Sequence, residues 1–367
     1  MTTTLSRLSR RMRARPAALA LAPLAILTGA WTIGWAALAP ASAQEGGEPF
    51  YKGRKIDIVI GFTVGGGYDA YARILARHMG EHIAGRPTLV PRNMTGAGSR
   101  VAANYVFSVA PKDGTVMGIA DQSIPLEQAL GDSGIKFDSR EFQWIGNVIA
   151  DNNIVATWHA TPIKTIADAQ RLESTMGATG YNTSAQYPTV LNQTIGTKFK
   201  VILGYPGGNE VNLAMERGEV QGRGSNAWAS YKSTKPDWVR EGKINILAQV
   251  GLKRASDLPD TPLLQDLTAN EQDKAALRLL SAPTAIGRPF FAPPGTPAER
   301  VKILRAAFDA TMKDKGFLDE AGKGAMDVNP VSGEDLQKIV ADIIDAPEAV
   351  KKRLAEMLAV MDREKSK

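Results

Sequence analysis

The stretch IDIVIGFTVGGGYDAYARIL, residues 56–75, decides the reading of this chain. Alternating aliphatics run into three consecutive glycines, and a helical pattern begins at once. KIDIVIGF (55–62) reads as a buried strand and AYARILARHMGEHIAG (70–85) as an amphipathic helix. Tyr71, Ile74, Leu75, Met79 and Ile83 share one stripe of it, with Gly85 placed as its C′ residue and Asp69 as its N-cap. Three glycines remove Cβ atoms, so successive backbone N–H groups can point into one space beside the positive end of the helix dipole.

What such a loop holds depends on its surroundings. Gly65-x-Gly67-x-x-Ala70 formally fits the dinucleotide pattern G-x-G-x-x-G/A, which expects an acid at the end of the second strand. That strand, PTLVPRN (87–93), brings Arg92 instead. Gly61 to Gly66 has P-loop spacing, but Gly67 stands where the lysine belongs. A free anion such as a carboxylate, or a plain tight turn, remains, with Thr63 as a hydroxyl donor.

The same theme continues outward. The turn MTGAGS, the helix RVAANYVFSVA and the strand GTVMGIAD (114–121) complete a β-α-β-α-β order, which predicts a parallel sheet flanked by helices. Beyond about residue 145 it restarts. Strands are expected at NIVATWH, TMGATGYN, KFKVILGYPG, EVQGRGSN and INILAQV, and helices at TIADAQRLES, SAQYPTVLNQTIG and NEVNLAMERG. RPFFAPPGTPAERVKILRAAFDATMKD reads as a Pro/Gly loop opening a long helix, with Pro297 at N1. Residues beyond 332 read as surface helices. TGAGS (95–99), GYNTSAQ (180–186), GYPGGN (204–209) and GRGSNAW (222–228) repeat the small-residue chemistry after other strands. Five such loops on the edges of two sheets describe a cleft around an acid.

Of 44 basic and 38 acidic residues, five arginines and no acid lie in residues 1–43, so the remainder carries 39 against 38. That near balance offers no footprint for nucleic acid. Residues 1–43 have the form of an export signal: a basic start, the run AALALAPLAILTGAWTIGWAALAP, and ASA at 41–43, predicting cleavage after Ala43. Pro23 and the small residues favour cleavage over an uncleaved anchor. Arg10-Arg11 faintly matches a twin-arginine signal, although Arg13 stands where an apolar residue is usual. With no cysteine, thiolate catalysis, disulfides and lipid attachment are excluded. The three histidines form no catalytic or metal set. His78 and His82 have i, i+4 spacing without an apparent third ligand and read as structural; His159 has no evident partner. No G-x-S-x-G elbow occurs. The expectation is a non-enzymatic, monomeric periplasmic binder without cofactor or metal.

IVIGFTVGGGYD, RNMTGAG, VAPKDGT, YPGGNEVNLAMERGEVQ, LKRASDLPDTPLLQDL and FFAPPGTPAERVKILRAAF stand in the order of one known family. Over roughly residues 50–345 the chain resembles the tripartite tricarboxylate transporter substrate-binding proteins, the Bug family. The resemblance implies a two-lobed α/β periplasmic binding protein of the second type, each lobe a mainly parallel sheet flanked by helices, hinged around its ligand. Lobe 1 is expected over 50–145 plus 284–345, lobe 2 over 146–283, and a C-terminal surface helix or tail over 346–367. By the same resemblance, Phe62, Thr63, Val64, Gly65, Gly66 and Gly67 hold a carboxylate, and Gly96 borders the space. Asn182, Thr183 and Ser184 face them from the second lobe, with Ser225 and Asn226 nearby. The loaded protein would dock on a permease of one large and one small subunit; presenting the ligand to a signalling receptor is the alternative. Thr63-Val64 replaces a common double proline, Pro206 stands where lysine is frequent, and GYNTSAQYP fits the family loop loosely. Arg100 and Arg223 read as surface arginines or as partners of a second carboxylate. Tyr181, Tyr187 and Trp228 read as core or as a stacking surface for an aromatic acid.

Overall fold

The computed structural model describes residues 49–365; the expected export signal and its cleavage point lie outside them. β1 (Lys55–Ile60), α1 (Gly67–His78), β2 (Thr88–Asn93), α2 (Arg100–Ser108), β3 (Val116–Ile119), α3 (Ile124–Ala129) and β4 (Gln143–Asn147) come first. The chain then crosses to β5 (Asn153–Trp158), α4 (Ile166–Arg171), β6 (Ser174–Gly177), α5 (Thr183–Ile195) and β7 (Phe199–Ile202). α6 (Gly208–Glu216), β8 (Gly222–Ala227), α7 (Trp228–Thr234), α8 (Pro236–Arg240), β9 (Ile244–Val250) and α9 (Glu271–Ser281) follow. It returns through β10 (Pro289–Ala292), α10 (Ala298–Thr311), α11 (Lys315–Lys323), β11 (Val331–Ser332) and α12 (Gly333–Ile344), and ends in α13 (Glu348–Lys365).

Two sheets result, in the orders β11-β4-β10-β3-β1-β2 and β7-β6-β8-β5-β9. β1 pairs parallel with β2 and β3, and β6 parallel with β7 and β8, as the β-α-β reading requires. Both sheets are nevertheless mixed. β10 runs antiparallel between β3 and β4, and β5 runs antiparallel between β8 and β9. β10 lies in the stretch expected to be a Pro/Gly loop. It has four buried residues between prolines, too few to show a period. Pro297 is the N-cap of α10, one position before N1. The first helix is shorter than its stripe suggests: α1 stops at His78 and a 3₁₀ turn continues to His82. Gly80 is pressed against Pro87 there, and Gly85 (φ +95) turns the chain into β2 rather than ending the helix.

One core face of the first sheet joins Ile56, Ile58 and Ile60 of β1 to Tyr71, Ile74 and Leu75 of α1 and Phe308 of α10. The other carries Val59, Val106, Phe142, Trp144 and Phe291 and runs on into the second sheet's layer. α13, expected at the surface, lays buried Leu354, Met357, Leu358 and Met361 in that same core, against α9 and α5. His78 bonds Glu320 at 2.7 Å and His82 approaches Asp314 at 3.6 Å, tying α1 and its 3₁₀ turn to α11.

Candidate functional site

The site begins where β1 ends. A Cβ on Gly61 would lie 2.3 Å from that of Ser99, so only glycine lets the two loops pass here. α1 then starts at Gly67 with Gly66 as an N-cap that lends no side-chain bond. Asp69, expected as that cap, sits within the first turn and reaches back to accept from the Gly65 amide at 3.0 Å. It also takes Arg73 and Asn93. Burial pushes its carboxyl up, but Arg73, the Gly65 amide and Asn93 outweigh it, and the net direction is below the usual carboxylate range. Asp69 shapes the loop and is occupied in doing so.

On the second sheet, Asn182 caps α5 by accepting from the Ser184 amide. Pro188 lies inside that helix, and Gly224 of β8 packs on Pro188 and the Ser184 carbonyl, where a Cβ would fall at 2.2 Å. This close approach sets Ser225 and Asn226 beside Ser184. α6 starts at Gly208, again with a glycine N-cap, Gly207, that lends no side-chain bond.

These elements surround a small cavity of about 50 Å³ that opens to solvent. Of the residues singled out from the sequence, Phe62, Gly66, Gly67, Asn182, Thr183, Ser184, Ser225 and Asn226 line it. Thr63, Val64, Gly65 and Gly96 do not. Thr63 Oγ1 donates to Glu210 Oε2 at 2.8 Å, joining loop to α6. Val64 is 61% exposed on the rim, and the Gly65 amide is spent on Asp69. Gly96 turns toward Val101; its neighbour Gly98 is the residue that touches Asn182.

The lining also holds residues that the sequence reading passed over or placed elsewhere: Tyr68, Asp121, Ser230, Arg223 and Arg288. Arg223, read as a surface arginine or a carboxylate partner, is 9% exposed and turned inward. It donates to the Gly208 carbonyl at 3.2 Å and to Asn212 Oδ1 at 3.0 Å. Burial pushes its guanidinium down from the usual arginine value, and Arg288 adds to the push. Arg288 is 3% exposed, donates to Ser230 Oγ and lies 4.3 Å over the Tyr68 ring, which stacks on Phe62. Arg100 is no surface residue either. It is buried and paired with Glu127 at 2.7 Å and Asp132 at 2.9 Å. Tyr187 is wholly buried, bonded by Asn153, and Trp228 donates to Asp257, so the aromatic face of the cavity is Phe62 and Tyr68. A hint existed in the sequence: Arg223 and Arg288 each sit within or beside a short run of small or apolar residues, where a charge needs a reason.

Several contacts join elements of one sheet to those of the other at or near this cavity. Besides Thr63–Glu210 and Arg288–Ser230, Asn182 donates to Asp121 Oδ2 at 2.9 Å, and Lys232 pairs with Asp327. Asp121 Oδ1 takes the Ser123 amide and hydroxyl, and burial pushes its carboxyl up.

Known proteins share this architecture. At 21% identity and TM-score 0.66, the periplasmic binding protein BugD aligns over 84% of this chain and 98% of its own. An R. palustris protein with adipate, Rpa4515, gives 21%, 0.65, 83% and 97%. MatC of Rhodopseudomonas palustris with bound malate gives 17%, 0.63, 83% and 99%. In sequence, the UPF0065 protein in the gbd 5′ region of Cupriavidus necator is 27% identical over 345 residues, covering 92% of this chain and 96% of that protein. The tripartite tricarboxylate transporter family receptor model matches residues 71–355. A mixed two-sheet α/β fold and a family match over most of its length place this chain in the tripartite tricarboxylate transporter receptor family.

Proposed function

We propose that this chain is a periplasmic receptor that captures a small organic carboxylate in the cleft and delivers it, as a monomer, to a tripartite tricarboxylate-type permease of large and small subunits. One observation supports the reading above all. Three helices from both sheets begin at the cavity, and Gly66 and Gly67 of α1, Asn182 to Ser184 of α5 and Gly208 of α6 line it. Helix N-termini present N–H groups and the positive end of the dipole, which favour an anion. The lining hydroxyls of Thr183, Ser184 and Ser225 add donors. The relatives with adipate and malate make a carboxylic acid the natural anion. Lobe 1 would then comprise 50–145 with 284–345 and lobe 2 146–283, closing on the acid through the contacts around the cavity.

A thermal-shift panel of mono-, di- and tricarboxylates and aromatic acids tests this. A ligand that binds only the native form at 100 times its Kd adds about 2.7 kcal/mol. At least one acid is expected to raise the melting temperature. A panel in which nucleotides shift the transition and no acid does would sink the reading.

A further inference from the structure

We propose that Asp121 and Glu127 hold a single proton between them through the hydroxyl of Ser123, and that an anion entering the cavity draws this proton onto Asp121. The second half of the proposal rests on the carboxylate-receptor reading; the first does not. All three side chains are buried, and of the three only Asp121 lines the cavity. Ser123 Oγ lies 2.8 Å from Asp121 Oδ1 and 2.6 Å from Glu127 Oε1. A hydroxyl has one hydrogen and an ionised carboxylate has none. Two contacts this short need two hydrogens, because oxygens that face each other at hydrogen-bond distance without one repel. The second hydrogen belongs to one of the two carboxyls. Burial pushes both carboxyls above the usual range; for Glu127 it outweighs the pull of Arg100, and the Asp121 charge adds to it.

The proton has two places, and the pair titrates as a unit. In one, Glu127 Oε1–H donates to Ser123 Oγ, whose own hydrogen goes to Asp121 Oδ1, and the negative charge sits on Asp121. In the other, Asp121 Oδ1–H donates to Ser123, which donates to Glu127 Oε1, and the charge sits on Glu127. Passing between them moves each hydrogen across one O···O contact and exchanges none with solvent. The two ends differ in their neighbours. Asp121 also accepts from the Ser123 amide and from Asn182. Its charge acts on Arg288 beside β10, Arg223 of β8 and Arg100 of α2, and on the phenols of Tyr68 in α1 and Tyr187 in α5. Glu127 accepts from Arg100 Nε at 2.7 Å, and Asp132 takes the same guanidinium at 2.9 Å. Without an anion, Arg288 and Arg223 balance a charge on Asp121. An anion at the starts of α1, α5 and α6 takes over those guanidiniums and repels that charge. The hydroxyl then passes it to Glu127, which lies outside the cavity lining and against Arg100. The cavity so accepts an anion next to a buried acid without drawing a proton from solvent.

Calorimetry at pH 8 on the exported full-length receptor, in two buffers of different ionisation heat, counts the protons taken up with the acid that gives the largest thermal shift. No net uptake is expected for the unmodified protein. Ser123→Ala cuts the relay and Glu127→Gln removes the place to which the charge moves, so each should weaken binding at least about tenfold. In an Asp121→Asn background no charge has to move, and adding either substitution should leave the affinity at the Asp121→Asn value. A merely structural role for Ser123 or Glu127 would weaken binding in both backgrounds. Uptake of about one proton by the unmodified protein, equal weakening with and without Asp121, or undiminished binding by both single variants overturns the relay. The shared proton is read without ligand, as the infrared carbonyl stretch of a protonated carboxyl that disappears in Asp121→Asn and in Glu127→Gln. Absence of that band from the unmodified protein overturns the sharing. If the band is present and no acid of the panel binds, the carboxylate reading falls and takes only the second half of the proposal with it. Should a variant fail to fold, the proton count and the band of the unmodified protein still decide.

Discussion

Gly67→Ala tests how closely α1 and α7 must approach beside the cavity. The backbone at Gly67 is not among the positive-φ glycines, so alanine fits the local conformation, and at the first turn of α1 it should be slightly favoured over glycine. Its Cβ, however, would lie 2.0 Å from Ser230 Oγ, 2.9 Å from Ser230 Cβ and 3.0 Å from Arg288 Nη2. Serine is too short to swing clear, so α7 must retreat from α1. The first bond broken is the one Arg288 donates to Ser230. A hydrogen bond to a charged group contributes about 1.5–3 kcal/mol, which corresponds to roughly a ten- to hundredfold loss of affinity. Calorimetry with the acid that gives the largest thermal shift measures the loss, and a melting curve without ligand provides the control. The expected pattern is weaker binding together with a melting temperature lowered by no more than the loss of that one bond and contact. An unchanged Kd beside an intact melting curve would show that Gly67 and Ser230 are not pressed together in the bound form. Gly66→Val isolates the other cause. The nearest protein atom to a Cβ at Gly66 is the Thr63 carbonyl oxygen at 3.9 Å, so loss of binding there reports the ligand's own space.

Two stability predictions follow from buried charges. Burial pushes the Asp151 carboxyl from 3.8 up to about 6, against the opposing pull of the Ala229 amide, Arg288 and Lys232. The folded form therefore keeps this proton where the unfolded chain has lost it. The associated stability is full below about pH 3.8, falls as pH rises to about 6, and leaves a cost of roughly 3 kcal/mol above that. Asp151→Asn, which retains an oxygen for Ala229, should unfold at higher urea than the native chain at pH 7.5 and lose that advantage near pH 4; a gap independent of pH would refute the assignment. Arg100→Met leaves Glu127, whose side chain is 2% exposed, without its partner at 2.7 Å. A loss of about 3–5 kcal/mol in urea unfolding is expected, with part of it recovered by adding Glu127→Gln; a change below about 1 kcal/mol would mean that Glu127 takes up a proton or meets solvent at little cost once Arg100 is gone.

The order of elements was legible because β1, β5 and β9 and the helices between them are long enough to show their periods. β10 was hidden because PFFA is short, buried on both faces and enclosed by prolines, so nothing in it alternates. Within the site, the glycine loop and the starts of α5 and β8 could be located from local chemistry: glycines before a helix, and Asn-Thr-Ser at a helix cap. Which residues of that loop face inward could not. Thr63 is drawn off by Glu210, and Gly65 by Asp69; the first partner is 147 residues away.

From the sequence alone came the export pattern, the two-sheet α/β plan, the family resemblance and the place of the glycine loop at residues 62–67. These depend on interactions between near neighbours: helix and strand periods, caps and turns. The tertiary structure alone turned Arg223 and Arg288 inward from different sheets and set each against a glycine at a helix start. A guanidinium's role depends on which carboxylates lie within a few ångströms of it. That environment is assembled from residues as far apart as Gly67 and Arg288, and no local pattern encodes it.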